Sequence, residues 1–94
     1  RQVMEKLPFS ELIKEGYYFR TFDSNIDEQE LKWHWDNEDR IVVCEHDTDW
    51  LFQRDNELPH PIEKNTLIYI TEGEYHRIIK GTGNLTLKVK KIVK

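Results

Sequence analysis

Ninety-four residues with a net charge of −4 and 34% charged side chains fit one domain with a modest core, which a bound metal or a second subunit would reinforce. The acidic balance disfavours nucleic acid as a partner, since phosphates call for clustered positive charge and the basic cluster is confined to Lys88, Lys90, Lys91 and Lys94. No apolar run approaches the ~18 residues of a membrane span, no signal-peptide pattern is visible, and the lone Cys44 excludes an internal disulfide, so the chain reads as cytoplasmic and free of a membrane partner.

The first element expected is one short helix over residues 8–16, capped by Ser10, ended by Gly16 and burying Phe9, Leu12 and Ile13. Residues 17–22 follow as an aromatic, β-prone lead-in strand. In "LKWHWD", residues 31–36, Leu31, Trp33 and Trp35 alternate with Lys32, His34 and Asp36, the period-2 pattern of a strand. Residues 40–44 form a second apolar run, in which Cys44 reads as a small buried hydrophobe, and residues 50–54 a third. Between them, His46-Asp47-Thr48-Asp49 has turn chemistry, as does the breaker-rich stretch 55–61. Residues 66–70 and 75–79 supply two more strands. Gly81-Thr82-Gly83-Asn84 makes a tight turn before a closing strand in which Leu85, Leu87 and Val89 alternate with Thr86, Lys88 and Lys90. Short strands at regular spacing with turns between them give an all-β, antiparallel barrel or sandwich, with the N-terminal helix as a side element.

The stretch "NTLIYITEGEYH", residues 65–76, resembles the second motif of the cupin (RmlC-like) superfamily: glycine, five residues, proline, one residue, glycine, two residues, histidine. Gly73 and His76 match; Asn65 stands for the first glycine, and asparagine tolerates a left-handed backbone; Thr71 stands for the proline. The first motif of that superfamily pairs two histidines one residue apart, with a glutamate four or five positions on. His34 matches the first histidine, Asp36 replaces the second, and the glutamate position falls on Arg40 or Ile41. The asparagine that often closes the second motif is Lys80. The resemblance spans residues 31–89 within a single domain of residues 1–94, and the overall look is similar to small single-domain cupins of bacteria and tailed phages. It implies that the two motifs lie side by side inside a barrel.

His34 and Asp36, one residue apart on a strand, share a face. The cupin arrangement would bring His76 to them, giving two imidazoles and one carboxylate, the donor set of mononuclear iron(II) sites with open positions. Iron, nickel, manganese or zinc would suit it, and no organic cofactor is implied. An open position lets a metal polarise a substrate oxygen or bind dioxygen. Trp33 and Trp35 point to the opposite face, so a lumen lined by His34 and Asp36 requires the tryptophans to be covered by other segments or by a second copy in a homodimer. Arg40 continues the parity of Asp36 through Glu38. It either grips an anionic ligand through a bidentate fork, with Glu38 beside it, or pairs with Asp36 or Asp39. Tyr69 would stand at the pocket mouth. His46 and His60 lie in turns and are weaker candidates. No nucleophile elbow or phosphate-cradling loop is present.

Three functions stay open on these residues: a metal-dependent protein acting on a small polar molecule, a metal-free module binding a sugar or carboxylate through Arg40 and His76, and an interaction protein using the Trp33/Trp35 face. Cupins span all three, so fold does not choose among them.

Overall fold

The computed structural model describes residues 7–93; residues 1–6 of the expected single domain and Lys94 of the basic cluster lie outside the described residues. Eight strands follow in order: β1 (Ser10–Lys14), β2 (Tyr17–Phe22), β3 (Asp39–Val43), β4 (Leu51–Arg54), β5 (His60–Pro61), β6 (Ile68–Ile70), β7 (His76–Ile79) and β8 (Leu85–Ile92). A 3-10 turn, Glu28–Glu30, is capped by the Asp27 carboxylate, which accepts from the Gln29 N–H. The strands form a five-stranded sheet, ordered β1-β2-β8-β3-β6, and a three-stranded sheet, ordered β5-β4-β7. Every pairing is antiparallel.

Alternation decides which side chains enter the space between the sheets. Leu85, Leu87 and Val89 of β8 are buried, and their registered neighbours Phe22 and Val42 join them. On β6, Ile68 and Ile70 point inward while Tyr69 points out. From the smaller sheet comes Phe52, and Trp50 and Ile62 close the base. Trp50 is fully buried, and its indole N–H donates to the Gly83 carbonyl at 2.7 Å, so the one polar atom of that ring is satisfied. Cys44 is buried as expected; its thiol donates to the His46 carbonyl, and burial pushes its pKa up.

The strands at residues 17–22, 40–44, 50–54, 66–70, 75–79 and 85–90 appear where the sequence predicts them, within one or two residues at their ends. The N-terminal helix does not. Residues 10–14 are instead the edge strand β1, joined to β2 by a two-residue turn in which Glu15 (φ 53) and Gly16 (φ 84) are both left-handed. That is the backbone of a tight β-hairpin turn, whose twist matches its flanking strands. A helix this short would be marginal alone, whereas the strand pairs over all five of its residues, from Ser10 opposite Thr21 to Lys14 opposite Tyr17. Leu12 and Ile13, expected to be buried, stand exposed on this edge.

Residues 31–36 depart in a different way. They pair with the sheet at one position, an isolated bridge between His34 and His76, and Leu31 lines the cavity with His34 and Asp36 instead of facing away with the tryptophans. Asn65 takes the left-handed conformation (φ 61) expected of its motif position. Among the described residues, no helix is long and apolar enough to cross a membrane.

The turn at 81–84 anchors Trp50. Asp49 accepts hydrogen bonds from the Thr82 N–H and hydroxyl at 2.9 and 2.8 Å, which hold its carboxyl below the usual carboxylate range. A Cβ at Gly81 would stand 2.8 Å from the Trp50 backbone nitrogen and overlap the Asp49 carboxylate, whereas at Gly83 it would meet nothing within 4 Å. Overpacking of this kind costs about 1–3 kcal/mol. Gly81→Ala is therefore expected to lower the melting temperature by roughly 4 °C or more, on the scale of about 4–8 °C per kcal/mol for a domain of this size. Gly83→Ala should leave it nearly unchanged. Equal effects in thermal unfolding would contradict the packing described.

Candidate metal centre

The bridge between His34 and His76 is made of two backbone hydrogen bonds, one in each direction: the His34 N–H to the His76 carbonyl at 3.0 Å, and the His76 N–H to the His34 carbonyl at 2.9 Å. Residues paired this way in an antiparallel ladder lie directly opposite, with side chains on one face. The two rings accordingly meet edge to face, centroids 4.3 Å apart.

Each imidazole is oriented by a backbone carbonyl two residues before it. His34 Nδ1 lies 3.0 Å from the Lys32 carbonyl, and His76 Nδ1 lies 2.8 Å from the Glu74 carbonyl. A carbonyl only accepts, so each Nδ1 carries the proton and each neutral ring presents a bare Nε2 lone pair. Fixing one ring nitrogen to free the other is how metal-ligating histidines are held.

Both lone pairs face Asp36. Its Oδ2 lies 3.4 Å from His76 Nε2, and its Oδ1 lies 3.9 Å from His34 Nε2. Asp36 and His76 are buried; His34 is exposed at the cavity mouth. Asp36 Oδ2 is buried with no hydrogen-bond partner among the described residues. An orphaned buried carboxylate oxygen is costly, and two nitrogen lone pairs are poor company for it. A cation resolves all three. The ligand atoms of His34, Asp36 and His76 all lie within 4.8 Å of one another. Donors around one ion at about 2.1 Å stand about 3–3.5 Å apart, so a small inward movement of the exposed His34 closes the set. The residues fit a divalent metal.

Burial also pushes the His76 pKa down from its ordinary value, with the neighbouring His34 lowering it further, against the Glu74 carbonyl and the Asp36 carboxylate, which raise it. A neutral imidazole is the ligating form.

Arg40 on β3 reaches the other carboxylate oxygen of Asp36, with Nη1 at 3.2 Å from Oδ1, while its Nε donates to Glu38 at 2.6 Å. Of the two roles open to Arg40 in the sequence, the ion pair with Asp36 is formed. It uses Oδ1 and leaves Oδ2 for the ion. Glu38 is the second partner of Arg40. Tyr69 faces away from the interior, and its hydroxyl donates to Asp39 at 2.5 Å. Trp33 and Trp35 are 40% and 52% exposed on the far side of the segment, with the Arg77 guanidinium 4.7 Å over the Trp33 ring. His46 is a structural acceptor for the Thr86 N–H, and His60 Nδ1 bonds the Pro61 carbonyl.

Supporting contacts come from the loop before β7, where Gly73 is the motif glycine and the other residues carry no sequence signal of their own. The Gly73 N–H donates to the Asp36 carbonyl at 2.9 Å, and the Glu72 N–H to the Asp39 carboxylate at 2.8 Å. Arg54 of β4 ties the same loop down: Nη1 donates to the Glu74 carboxylate at 2.6 Å and Nη2 to the Tyr69 carbonyl at 2.9 Å. Their partners lie 15 to 37 residues away, beyond the reach of local pattern. The charge and polarity of Arg54, Glu72 and Glu74 look like ordinary surface.

The three ligand candidates line a cavity of about 340 Å³ between the sheets. Its walls are apolar: Phe22, Val42, Phe52, Ile70, Leu87 and Val89 are among the lining residues, and Phe52 packs against the His76 ring at 5.8 Å.

Comparison with known proteins places the fold. No family model matches the sequence, and no curated protein matches it. Solved structures do. A cupin domain from Bordetella pertussis Tohama I superposes with a TM-score of 0.62 at 13% identity, covering 97% of this chain and 100% of that one. Protein NMB1881 from Neisseria meningitidis gives 0.60 at 13%, covering 97% and 89%. The iron(II) form of HppE in complex with substrate gives 0.64 at 10%, covering 98% of this chain and 57% of HppE. The fold is cupin-like, and His34, Asp36 and His76 form a group that could hold a metal ion.

The lowered His76 pKa sets the sign of an acid effect. When the unfolded chain takes up a proton more readily than the folded one, stability is full above the ordinary histidine pKa of about 6.5 and falls as the pH drops from there toward the folded value. Chelator-treated protein is therefore expected to show a falling urea midpoint between about pH 7 and pH 5. His76→Asn should flatten that limb. An identical limb in the variant would contradict a disfavoured imidazolium at this position.

Proposed function

We propose that this chain is a metal-dependent cupin in which His34 Nε2, His76 Nε2 and Asp36 Oδ2 hold a divalent ion whose remaining positions open into the apolar cavity. The single observation that supports this best is the buried Asp36 Oδ2 without a hydrogen-bond donor, 3.4 Å from His76 Nε2, on a carboxylate whose other oxygen lies 3.9 Å from His34 Nε2. Two imidazoles and one carboxylate suit iron(II), manganese, nickel and zinc. Iron(II) is the first metal to try, because HppE, solved with iron(II) and substrate, shares the fold.

Each residue has a separate task. His76, buried and tied to the Glu74 carbonyl, is the rigid ligand. His34, at the mouth, is the adjustable one. Asp36 supplies the negative charge, and Arg40 fixes its carboxylate plane through the other oxygen. The Phe52 ring, with its centroid 5.8 Å from that of His76, gives the site an apolar flank. When bound, the metal would supply Lewis acidity or a place for dioxygen in the cavity. The metal-free alternative, with Arg40 as the grip on an anion, is the weaker fit, since two carboxylates already engage Arg40.

Protein purified without an affinity histidine tag and without chelator is expected to carry close to one equivalent of transition metal by elemental analysis. His76→Ala and Asp36→Ala should each reduce that to background. Adding metal at about 100-fold over its Kd to chelator-treated protein should stabilise it by about 2.7 kcal/mol, an increment that both variants lose. Metal-free native protein that gains no stability from any of the four ions would overturn the proposal.

A further inference from the structure

The cavity bears on what the site acts upon. Its interior surface is built mainly from aliphatic and aromatic side chains of both sheets; its polar lining includes His34, Asp36, His76 and Arg40, and Arg20 beside Leu87. At about 340 Å³ it lies near the lower limit of the ~300–1,000 Å³ typical of small-molecule sites. A sugar or other polyol placed there would leave hydroxyls unpaired against Phe52, Ile70 and Val89, at a substantial cost for each. A hydrocarbon would leave none.

Charge selects the head group. Arg20, Lys32 and Arg40 line the cavity as cations, against the carboxylates of Glu30 and Asp36; Glu11 and Glu38 pair with Arg20 and Arg40 from behind. These three cations and four carboxylates leave one negative charge. A divalent ion at His34, Asp36 and His76 turns the sum to one positive charge, which a monoanion neutralises. Lys32 has no ion-pair partner among the described residues and stands beside His34 at the mouth.

We infer that the cavity takes a compact organic monoanion with a hydrocarbon body, of the class of medium-chain monocarboxylic acids, its chain among Phe52, Ile70, Leu87 and Val89 and its carboxylate at the His34/Asp36/His76 end. The head-group part rests on the metal reading; the hydrocarbon part does not.

Calorimetric titration of zinc-loaded protein with butyrate, hexanoate, octanoate and gluconate tests it. Each methylene buried is worth about 0.8 kcal/mol, roughly a fourfold gain in affinity, so hexanoate should bind at least tenfold tighter than butyrate until the cavity is filled. Gluconate, of the same carbon count as hexanoate but hydroxylated, should bind at least tenfold more weakly than hexanoate. Val89→Phe should reduce hexanoate affinity at least tenfold with zinc binding unchanged, and should that variant fail to fold, Ile78→Ala should move the best-fitting acid to greater length. Affinity independent of chain length, or gluconate equal to hexanoate, overturns the inference. The same series run as butanol and hexanol on chelator-treated protein separates the two claims. Length dependence there, in a protein that binds no zinc, keeps the hydrocarbon cavity and removes the metal. Zinc binding without length dependence does the reverse.

Discussion

The site depends on one backbone event, the two hydrogen bonds that join His34 to His76. They fix a segment that is otherwise irregular to the edge of the smaller sheet at a single residue pair. Because a hydrogen-bonded antiparallel pair puts its side chains on one face, this pairing brings together two imidazoles 42 positions apart in sequence. A slip by one residue would place Trp33 or Trp35 against the site and turn the histidine outward. The Trp33 ring under the Arg77 guanidinium marks the opposite face of the same register.

That pairing is supported by a loop that serves the site with backbone atoms. Gly73 holds the Asp36 carbonyl, Glu74 offers its carbonyl to the His76 ring, and Arg54 reaches across from β4 to hold both the Glu74 carboxylate and the Tyr69 carbonyl. Asp39, buried at the start of β3, receives the Tyr69 hydroxyl and the Glu72 N–H. The residues around the candidate ligands are thus well bonded, which makes the unmatched oxygen of Asp36 more telling. A site that satisfies nearly all of its polar atoms and leaves one carboxylate oxygen unmatched, with an imidazole lone pair beside each oxygen of that carboxylate, has the electrostatics of a place for a cation.

Much of this was legible in the sequence, for reasons that differ by element. Alternation at Leu85, Leu87 and Val89 and the inward pair Ile68 and Ile70 identify strands because one face of each is buried, and the burial follows the pattern. The spacing of His34 and Asp36 and the cupin-like stretch ending at His76 were enough to name the three groups that lie within 4.8 Å of one another. The helix over residues 8–16 was misread because Ser10 and Gly16 suit helix ends as well as hairpin positions. What decided the matter was the two left-handed residues Glu15 and Gly16 and the pairing with β2, a tertiary gain that local propensity does not contain. The segment 31–36 alternates in sequence like a strand yet pairs at one position, since the bridge partner of His34 lies 42 residues downstream. The apolar walls of the cavity were invisible as a cavity: Phe52, Val42 and Ile70 read as core, and only the separation of the two sheets leaves room between them.

The central claim is that His34 and His76 are fixed with their Nδ1 protons on backbone carbonyls and their Nε2 atoms turned toward one point beside Asp36. Long-range 1H–15N NMR of the imidazole nitrogens, recorded on chelator-treated protein and again after one equivalent of zinc, reads this directly. The account predicts the Nδ1–H tautomer in both rings before zinc, and a shift of both Nε2 resonances together on its addition, with His46 and His60 unmoved. An Nε2–H tautomer in either ring, or a zinc response at His46 or His60 in place of His34 and His76, would contradict it.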